Sequence, residues 1–207
     1  MNILAFDTSG DYCTIALHYN GKLYAESMAL IHGHATHLMP LIMKVMQDAH
    51  ASFKDLDLIS VVNGPGSFTG IRVGVATAHG LSIASKVPLI AISSFELYAH
   101  QAADDKDILV LIDSRRNDLF VQKYDCDLNP IGEPHILKPE NVDLEGYNVT
   151  GNGLKLLESQ QAVLLNPDTL INVTKHKWES GQSTGRREDC KPLYLREPDA
   201  VIKNSKI

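Results

Sequence analysis

One pattern occurs twice in this chain and constrains its fold more than any other feature. The apolar run Ile3–Phe6 stops at Asp7-Thr8-Ser9-Gly10 and continues into Tyr-Cys-Thr-Ile-Ala-Leu-His-Tyr at 12–19. Ile-Leu-Val-Leu-Ile at 108–112 stops in the same way at Asp113-Ser114-Arg115 and continues into Asp-Leu-Phe-Val-Gln-Lys-Tyr-Asp at 118–125. An apolar strand that ends on an acid and a hydroxyl, then turns into a hairpin partner, is an internal repeat and predicts two lobes related by duplication. The acidic Asp104-Asp105-Lys106-Asp107 reads as the linker. The expected organisation is α/β, with an N-terminal lobe over 1–103 and a shorter C-terminal lobe over 104–207 that ends in an irregular basic tail.

Between the two copies the pattern alternates strands and helices. Asn20-Gly21 lies between two strand-like runs, and a type I′ hairpin turn needs φ > 0 at both of its central residues. Residues 22–27 then complete a three-strand meander. Leu38, Leu41, Ile42, Val45, Met46 and Ala49 recur at spacings of three and four, which predicts a helix over 36–49 with one apolar stripe. Met39 and Met43 lie off that stripe and widen the apolar surface, as on a helix fully covered within the core or on one covered by its own sheet on one side and by a partner on the other. A strand at 56–62 leads into Asn-Gly-Pro-Gly-Ser-Phe-Thr-Gly and then a helix with two small-residue rows: Gly70, Gly74, Ala78 and Ala76, Gly80, Ala84. Each helical glycine costs about 1 kcal/mol relative to alanine, so these rows predict close approach of another backbone on one face or on both. A short strand at 88–92 precedes Ser93 and Glu96, the capping box of a helix running to about His100. In the second lobe a strand at 147–150 turns on Gly151-Asn152-Gly153 into a helix over Leu-Lys-Leu-Leu-Glu-Ser. Beyond about 166 the sequence becomes polar, with Gly and Pro, and predicts no regular element.

Composition removes several function classes. The longest apolar runs are too short to cross a bilayer, and the amino end lacks a basic n-region, so no signal peptide is expected. Cys13, Cys126 and Cys190 form neither a disulfide framework nor a paired metal motif, which fits a reducing, cytoplasmic location. The net charge of −6 argues against gripping nucleic acid over the whole surface. The charge is uneven, however. Residues 1–174 carry 11 Lys and Arg against 20 Asp and Glu, and 175–207 carry 8 against 5. The basic tail reads as a solvated terminus first and as an RNA contact second.

The residues with chemical potential do not assemble into a catalytic set. Asp7, Thr8, Ser9 and Asp113 sit at strand ends where they can hold a metal-bound phosphate or, equally, satisfy Asx-turn amides. The loop Gly-Pro-Gly-Ser-Phe-Thr-Gly lacks the Lys-Ser/Thr of a phosphate loop, leaving only backbone N–H groups for an anion. Ser67 is not in a Gly-x-Ser-x-Gly nucleophile elbow. Arg72 falls in the first turn of a helix, an unfavourable place for a cation, which predicts an acidic partner. His32, His34 and His37 cluster without a nearby carboxylate or a His-x-x-x-His spacing, so capping or packing is favoured over metal binding.

Taken in order, Ile-Leu-Ala-Phe-Asp-Thr-Ser, Gly-Pro-Gly-Ser-Phe-Thr-Gly-Ile-Arg-Val-Gly-Val-Ala-Thr-Ala-His-Gly-Leu-Ser, Ile-Asp-Ser-Arg-Arg-Asn-Asp-Leu-Phe-Val-Gln-Lys-Tyr-Asp, Thr-Gly-Asn-Gly-Leu-Lys and the late Pro-Leu-Tyr-Leu-Arg-Glu-Pro-Asp-Ala resemble the TsaB (YeaZ) family over about 1–200. The resemblance implies the ASKHA (actin-like ATPase) fold, two RNase-H-like lobes with mixed sheets flanked by helices. It also implies a role in making threonylcarbamoyladenosine beside the anticodon of tRNAs that read codons starting with A. In that family the catalyst is the paralogue TsaD, TsaB is its non-catalytic scaffold, and TsaE joins them as an ATPase. His34 falls where TsaD has a metal-ligand histidine, but Leu38 stands at the second ligand position, so no metal is expected. No tightly bound cofactor is expected, with ATP or ADP at the complex interface left open. The resemblance places His34, Leu38, Met39, Met43, Gly70, Arg72, Gly74 and Ala78 at the TsaD interface, a surface that can also form a homodimer, with tRNA reached only through the complex. The glycoprotease label attached to such sequences finds no complete protease machinery here. The alternative reading is an ASKHA-type ATPase or phosphotransferase using Asp7 and Asp113.

Overall fold

Asn20 and Gly21 both take positive φ, 50° and 78°, and the hairpin closes on them with Tyr19 paired to Lys22. This turn opens a computed structural model that describes residues 1–30, 33–157 and 161–196. The first sheet contains β1 (Ile3–Asp7), β2 (Tyr12–Tyr19), β3 (Lys22–Ala29), β4 (Leu58–Val62) and β5 (Leu89–Ile92). Their order is β3-β2-β1-β4-β5, antiparallel through the meander and parallel from β1 onward. The second sheet contains β6 (Ile108–Asp113), β7 (Leu119–Tyr124), β8 (Pro130–Leu137) and β9 (Asn148–Thr150), in the order β8-β7-β6-β9. It repeats the first four positions of the first sheet and stops. Two mixed sheets of this order, flanked by helices, are the duplicated RNase-H-like architecture of the actin-like ATPase fold.

Four helices complete the chain: α1 (His34–Asp48), α2 (Phe68–Ser85), α3 (Ser94–Gln101) and α4 (Pro167–Glu179). The parallel strands β1 and β4 are buried along their whole length, which requires cover on both faces of the first sheet. α1 and α2 cover one face, where Leu38, Ile42, Val45, Ile71 and Val75 join Leu4, Phe6, Ile15 and Ile59. The opposite face is covered from far along the chain by α4. Leu170, Ile171 and Val173 pack there against Ile3, Ala16, Leu58 and Ile90. Conversely α3, which belongs to the first half of the sequence, packs Phe95, Tyr98 and Ala99 on Val110, Ile112 and Phe120 of the second sheet. α3 also sends Leu97 into the first sheet's cluster beside Ile3 and Val62, so α3 packs between the two sheets while α4 crosses from the second half of the sequence to the first sheet.

Two sequence expectations change here. The polar stretch beyond 166 contains a regular helix, α4, capped by Asn166 accepting from the Asp168 N–H, with Pro167 as its first residue. Its apolar residues are sparse, and their role emerges only against the first sheet. The expected helix after Gly151-Asn152-Gly153 is a 3-10 turn over Asn152–Leu156. Leu154 enters the core with Leu109, Leu111, Leu119 and Val121, and the chain leaves at Leu157 with extended backbone. Glu158, at the end of that expected helix, and the tail over 197–207 lie outside the described residues.

Candidate functional site

The helix pair α1–α2 presents a face away from the sheet. On α1 the predicted stripe turns inward, while Met39 and Met43 remain 37% and 41% exposed. On α2 the outward residues are Phe68, Arg72, Ala76, Gly80, Ile83 and Ala84, with Ile83 61% exposed. The two small-residue rows have opposite roles. Gly70, Gly74 and Ala78 face β1 and β4: a Cβ on Gly74 would lie 2.5 Å from Thr8 Oγ1 and 3.3 Å from Val61 Cγ2, and one on Gly70 would strike the Thr8 carbonyl. On the outward row, a Cβ on Gly80 would meet nothing within 4 Å.

This corrects the interface assignment read from the sequence. Met39, Met43 and Arg72 are available to a partner. Leu38, Gly70, Gly74 and Ala78 are buried in the lobe itself, and His34 is only 8% exposed. The row exposed on the outer side of α2 is Ala76, Gly80 and Ala84. Sequence periodicity separates the rows but carries no sign for which one meets the sheet.

Arg72 also departs from expectation. Its Nε donates to Tyr194 Oη at 2.8 Å, and its guanidinium lies 3.6 Å from the Phe68 ring centroid. Two aromatic rings therefore meet it where an acid was expected. A cation over an aromatic face is attracted by the ring quadrupole, which offsets its position near the helix amino end.

The strand-end residues form matched turns. Asp7 Oδ1 accepts from the Ser9 N–H at 2.7 Å, and Asp113 Oδ1 accepts from the Arg115 N–H at 2.8 Å. Thr8 Oγ1 donates to the Gly70 carbonyl at 2.7 Å, and the Ser9 hydroxyl shares a hydrogen bond with Ser94 at 3.1 Å. The Asx-turn role is thus realised, and the hydroxyls tie β1 to α2 and α3. Burial raises the Asp7 pKa above the usual carboxylate range, against the lowering effect of its Ser9 hydrogen bonds.

A charge network joins the lobes beside these turns. Asp11 accepts from Arg115 Nη1 at 2.6 Å and from Lys155 Nζ at 2.7 Å, and Lys155 also reaches Asp113 Oδ2 at 2.9 Å. Partial burial alone would raise the Asp11 pKa, but its two cations outweigh that and hold it below its ordinary value. No local pattern signals this set, because Asp11 and Lys155 stand 144 positions apart.

His34 opens α1 with its Nε2 buried and without a hydrogen-bond partner among the described residues. Burial lowers its pKa, against the pull of the Tyr12 and Gly10 carbonyls. His37 Nδ1 meets the Gly33 carbonyl at 3.0 Å, and His32 lies outside the described residues. Among the described residues, no three His, Cys, Asp or Glu side chains converge as a metal site, and no helix is long and apolar enough to cross a membrane. Burial pushes the Cys13 and Cys190 thiols up to about 12, so neither is an activated nucleophile.

The family model of TsaD, tRNA N6-adenosine threonylcarbamoyltransferase, matches residues 29–168. The chain is 28% identical over 221 residues to the Escherichia coli tRNA threonylcarbamoyladenosine biosynthesis protein TsaB, covering 95% of each. It is 35% identical over 126 residues to the Bacillus subtilis protein of the same name, covering 60% of this chain and 55% of that one. Among solved structures it resembles YeaZ from Pseudomonas aeruginosa with a TM-score of 0.79 at 24% identity, over 94% of this chain and 99% of that one.

Proposed function

Because the chain belongs to the family described by the TsaD model, on its TsaB (YeaZ) branch, we propose that it serves tRNA threonylcarbamoylation as a non-catalytic scaffold for TsaD. Its place in tRNA threonylcarbamoyladenosine biosynthesis follows from the family. The scaffold role rests on one observation: the exposed face of α1 and α2, which carries Met39, Met43 and Ile83 together with the small residues Ala76, Gly80 and Ala84. Exposed apolar residues gathered on two adjacent helices mark a protein-binding surface. An equivalent helix pair of TsaD docks there and forms a four-helix contact, with Gly80 admitting its backbone. In the absence of TsaD the same face pairs two copies of this chain, and mass action selects between the two states.

The phosphotransferase reading gains no support from the strand ends. The Thr8 and Ser9 hydroxyls are engaged within the chain, and Asp113 is held by Lys155. Leu38, which takes the place of a second ligand histidine, lies in the core. TsaE and ATP join the TsaD-bound form, and this chain contributes no group to the transfer itself.

The test is association with purified TsaD, measured by size exclusion with light scattering. The expected result is a heterodimer that replaces a homodimer. Gly80→Phe, whose side chain enters open space in the isolated chain, should abolish the complex without unfolding the protein. A complex unaffected by Gly80→Phe and by Met43→Glu would remove the face from consideration.

A further inference from the structure

A cavity of about 620 Å³ lies between the lobes, at the amino end of α2, where it adjoins the outward face of the helix pair through Phe68 and Arg72. One wall is the loop before α2 and its first turn, including Phe68 and Arg72. The second is the turn after β6, with Arg115 and Arg116, and the third is the segment Leu193–Arg196. That segment is fixed to both lobes: the Leu193 N–H donates to the Asn63 carbonyl at 2.8 Å, and Arg196 Nη2 donates to Asp118 Oδ2 at 2.6 Å.

The lining is unusual for a chain of net charge −6. Four arginines meet here: Arg72, Arg115, Arg116 and Arg196. Arg115 and Arg196 pair with Asp11 and Asp118, and Arg116 is also engaged, whereas Arg72 rests on a ring and a phenol oxygen with no acid against it among the described residues. The same wall includes the amino end of an 18-residue helix, where the dipole favours an anion, although Ser67 already accepts from the Gly70 and Ile71 N–H groups. Two large aromatic side chains stand at the rim and remain exposed, Phe68 at 42% and Tyr194 at 37%, with ring centroids 5.3 Å apart. Exposed rings beside uncancelled arginine charge form the combination that binds single-stranded nucleic acid: bases stack on the rings, and the backbone follows the cations.

We infer that this cleft holds a segment of single-stranded RNA, with phosphates along the arginine wall and an unstacked base against Phe68 and Tyr194. This rests on the reading of the chain as part of tRNA modification, and it turns the chain from an indirect participant into one that touches the RNA. A free mononucleotide shares part of this chemistry.

The test uses the full chain without TsaD and a fluorescein-labelled oligouridylate of about eight nucleotides, a length in the range one binding domain engages, with anisotropy read across a salt series. Binding is expected at low salt and should fall steeply as salt rises. Phe68→Ala and Tyr194→Ala should each weaken binding on the order of tenfold, the range for loss of one base stack. Arg72→Gln should reduce the slope of log affinity against log salt by about 0.7, the value for one phosphate contact on a single strand. Unfolding midpoints of the variants confirm that they are folded. Absence of oligonucleotide binding at low salt would overturn the inference, as would Phe68 and Tyr194 variants that bind as well as the parent. Uridine monophosphate competing on equal terms with the oligonucleotide would also overturn it, in favour of a mononucleotide pocket. Gly80→Phe separates the two readings. Loss of TsaD association with retained RNA binding tests the helix face alone, and the reverse pattern tests the cleft alone.

Discussion

Replacing each of the two α2 glycines with alanine asks which side of the helix the lobe needs. At Gly74 a methyl group would lie 2.5 Å from Thr8 Oγ1 and 3.3 Å from Val61 Cγ2, both in the closed core between α2 and the sheet. Thr8 is fully buried, and its hydroxyl donates to the Gly70 carbonyl at 2.7 Å. Alanine contributes about 1 kcal/mol of helix propensity. Overpacking costs typically 1–3 kcal/mol, and a displaced Thr8 hydroxyl left without its acceptor costs about 1–3 more. Gly74→Ala should therefore destabilise the protein by roughly 1–5 kcal/mol. At Gly80 nothing stands within 4 Å, so the propensity gain is unopposed, and Gly80→Ala should stabilise by up to about 1 kcal/mol. For a chain of this size 1 kcal/mol moves Tm by about 2–4 °C, so thermal melts of the two variants should move in opposite directions. Urea titrations give the same quantities as free energies. If Gly74→Ala matched or exceeded the parent in stability, the assignment of the inner row to core packing would be wrong.

Three further outcomes follow from the same geometry. Leu170→Ala, in the C-terminal half of the sequence, should cost about 2–5 kcal/mol; hydrogen exchange should show the lost protection in β1 and β4, and loss confined to the second sheet would contradict the packing of α4 on the first sheet. Asp7→Asn keeps an oxygen for the Ser9 N–H while removing a buried charge. The folded state holds the Asp7 proton more tightly than the unfolded chain, so its ionisation costs stability as pH rises from about 3.8 through the raised folded pKa. The variant should then be at least as stable as the parent at neutral pH and lose that advantage in acid, and a strong destabilisation at neutral pH would refute this account. Burial, with His176 beside it, holds His100 below 6.5 against the pull of Glu96. The unfolded state then binds the extra proton first, so stability present above about 6.5 is lost as pH falls toward the folded pKa; His100→Gln should flatten this part of a urea-midpoint profile, and an unchanged profile would assign the acid sensitivity elsewhere.

Much of the fold is legible in local chemistry. Asn20-Gly21 specifies its hairpin because few residue pairs accept two positive φ angles. Ser93 and Glu96 form the capping box read from their spacing, with Glu96 N–H donating to Ser93 Oγ at 3.0 Å and Ser93 N–H to Glu96 Oε2 at 2.6 Å. The repeated strand-Asp-hydroxyl pattern identifies the duplication because both copies end in the same Asx turn. The candidate site is less legible. Arg72 pairs with Tyr194, 122 positions away, and the charge network at Asp11 joins both lobes. Neither pairing leaves a periodic trace.

The sequence by itself determined where strands end, where most helices begin, the duplication and the family, because turns, caps and periodicity act over a few residues. Only the tertiary structure decided which glycine row of α2 faces outward. It also decided that α4 crosses to the first sheet while α3 packs between both sheets, and that a cluster of arginines and exposed rings lines one cleft. The physical reason is that burial and ion pairing depend on which surfaces meet. In a duplicated chain, two similar sheets offer each helix two similar places to pack, and the choice is made by long-range contacts such as the 2.7 Å hydrogen bond between Ser60 of β4 and Thr174 of α4.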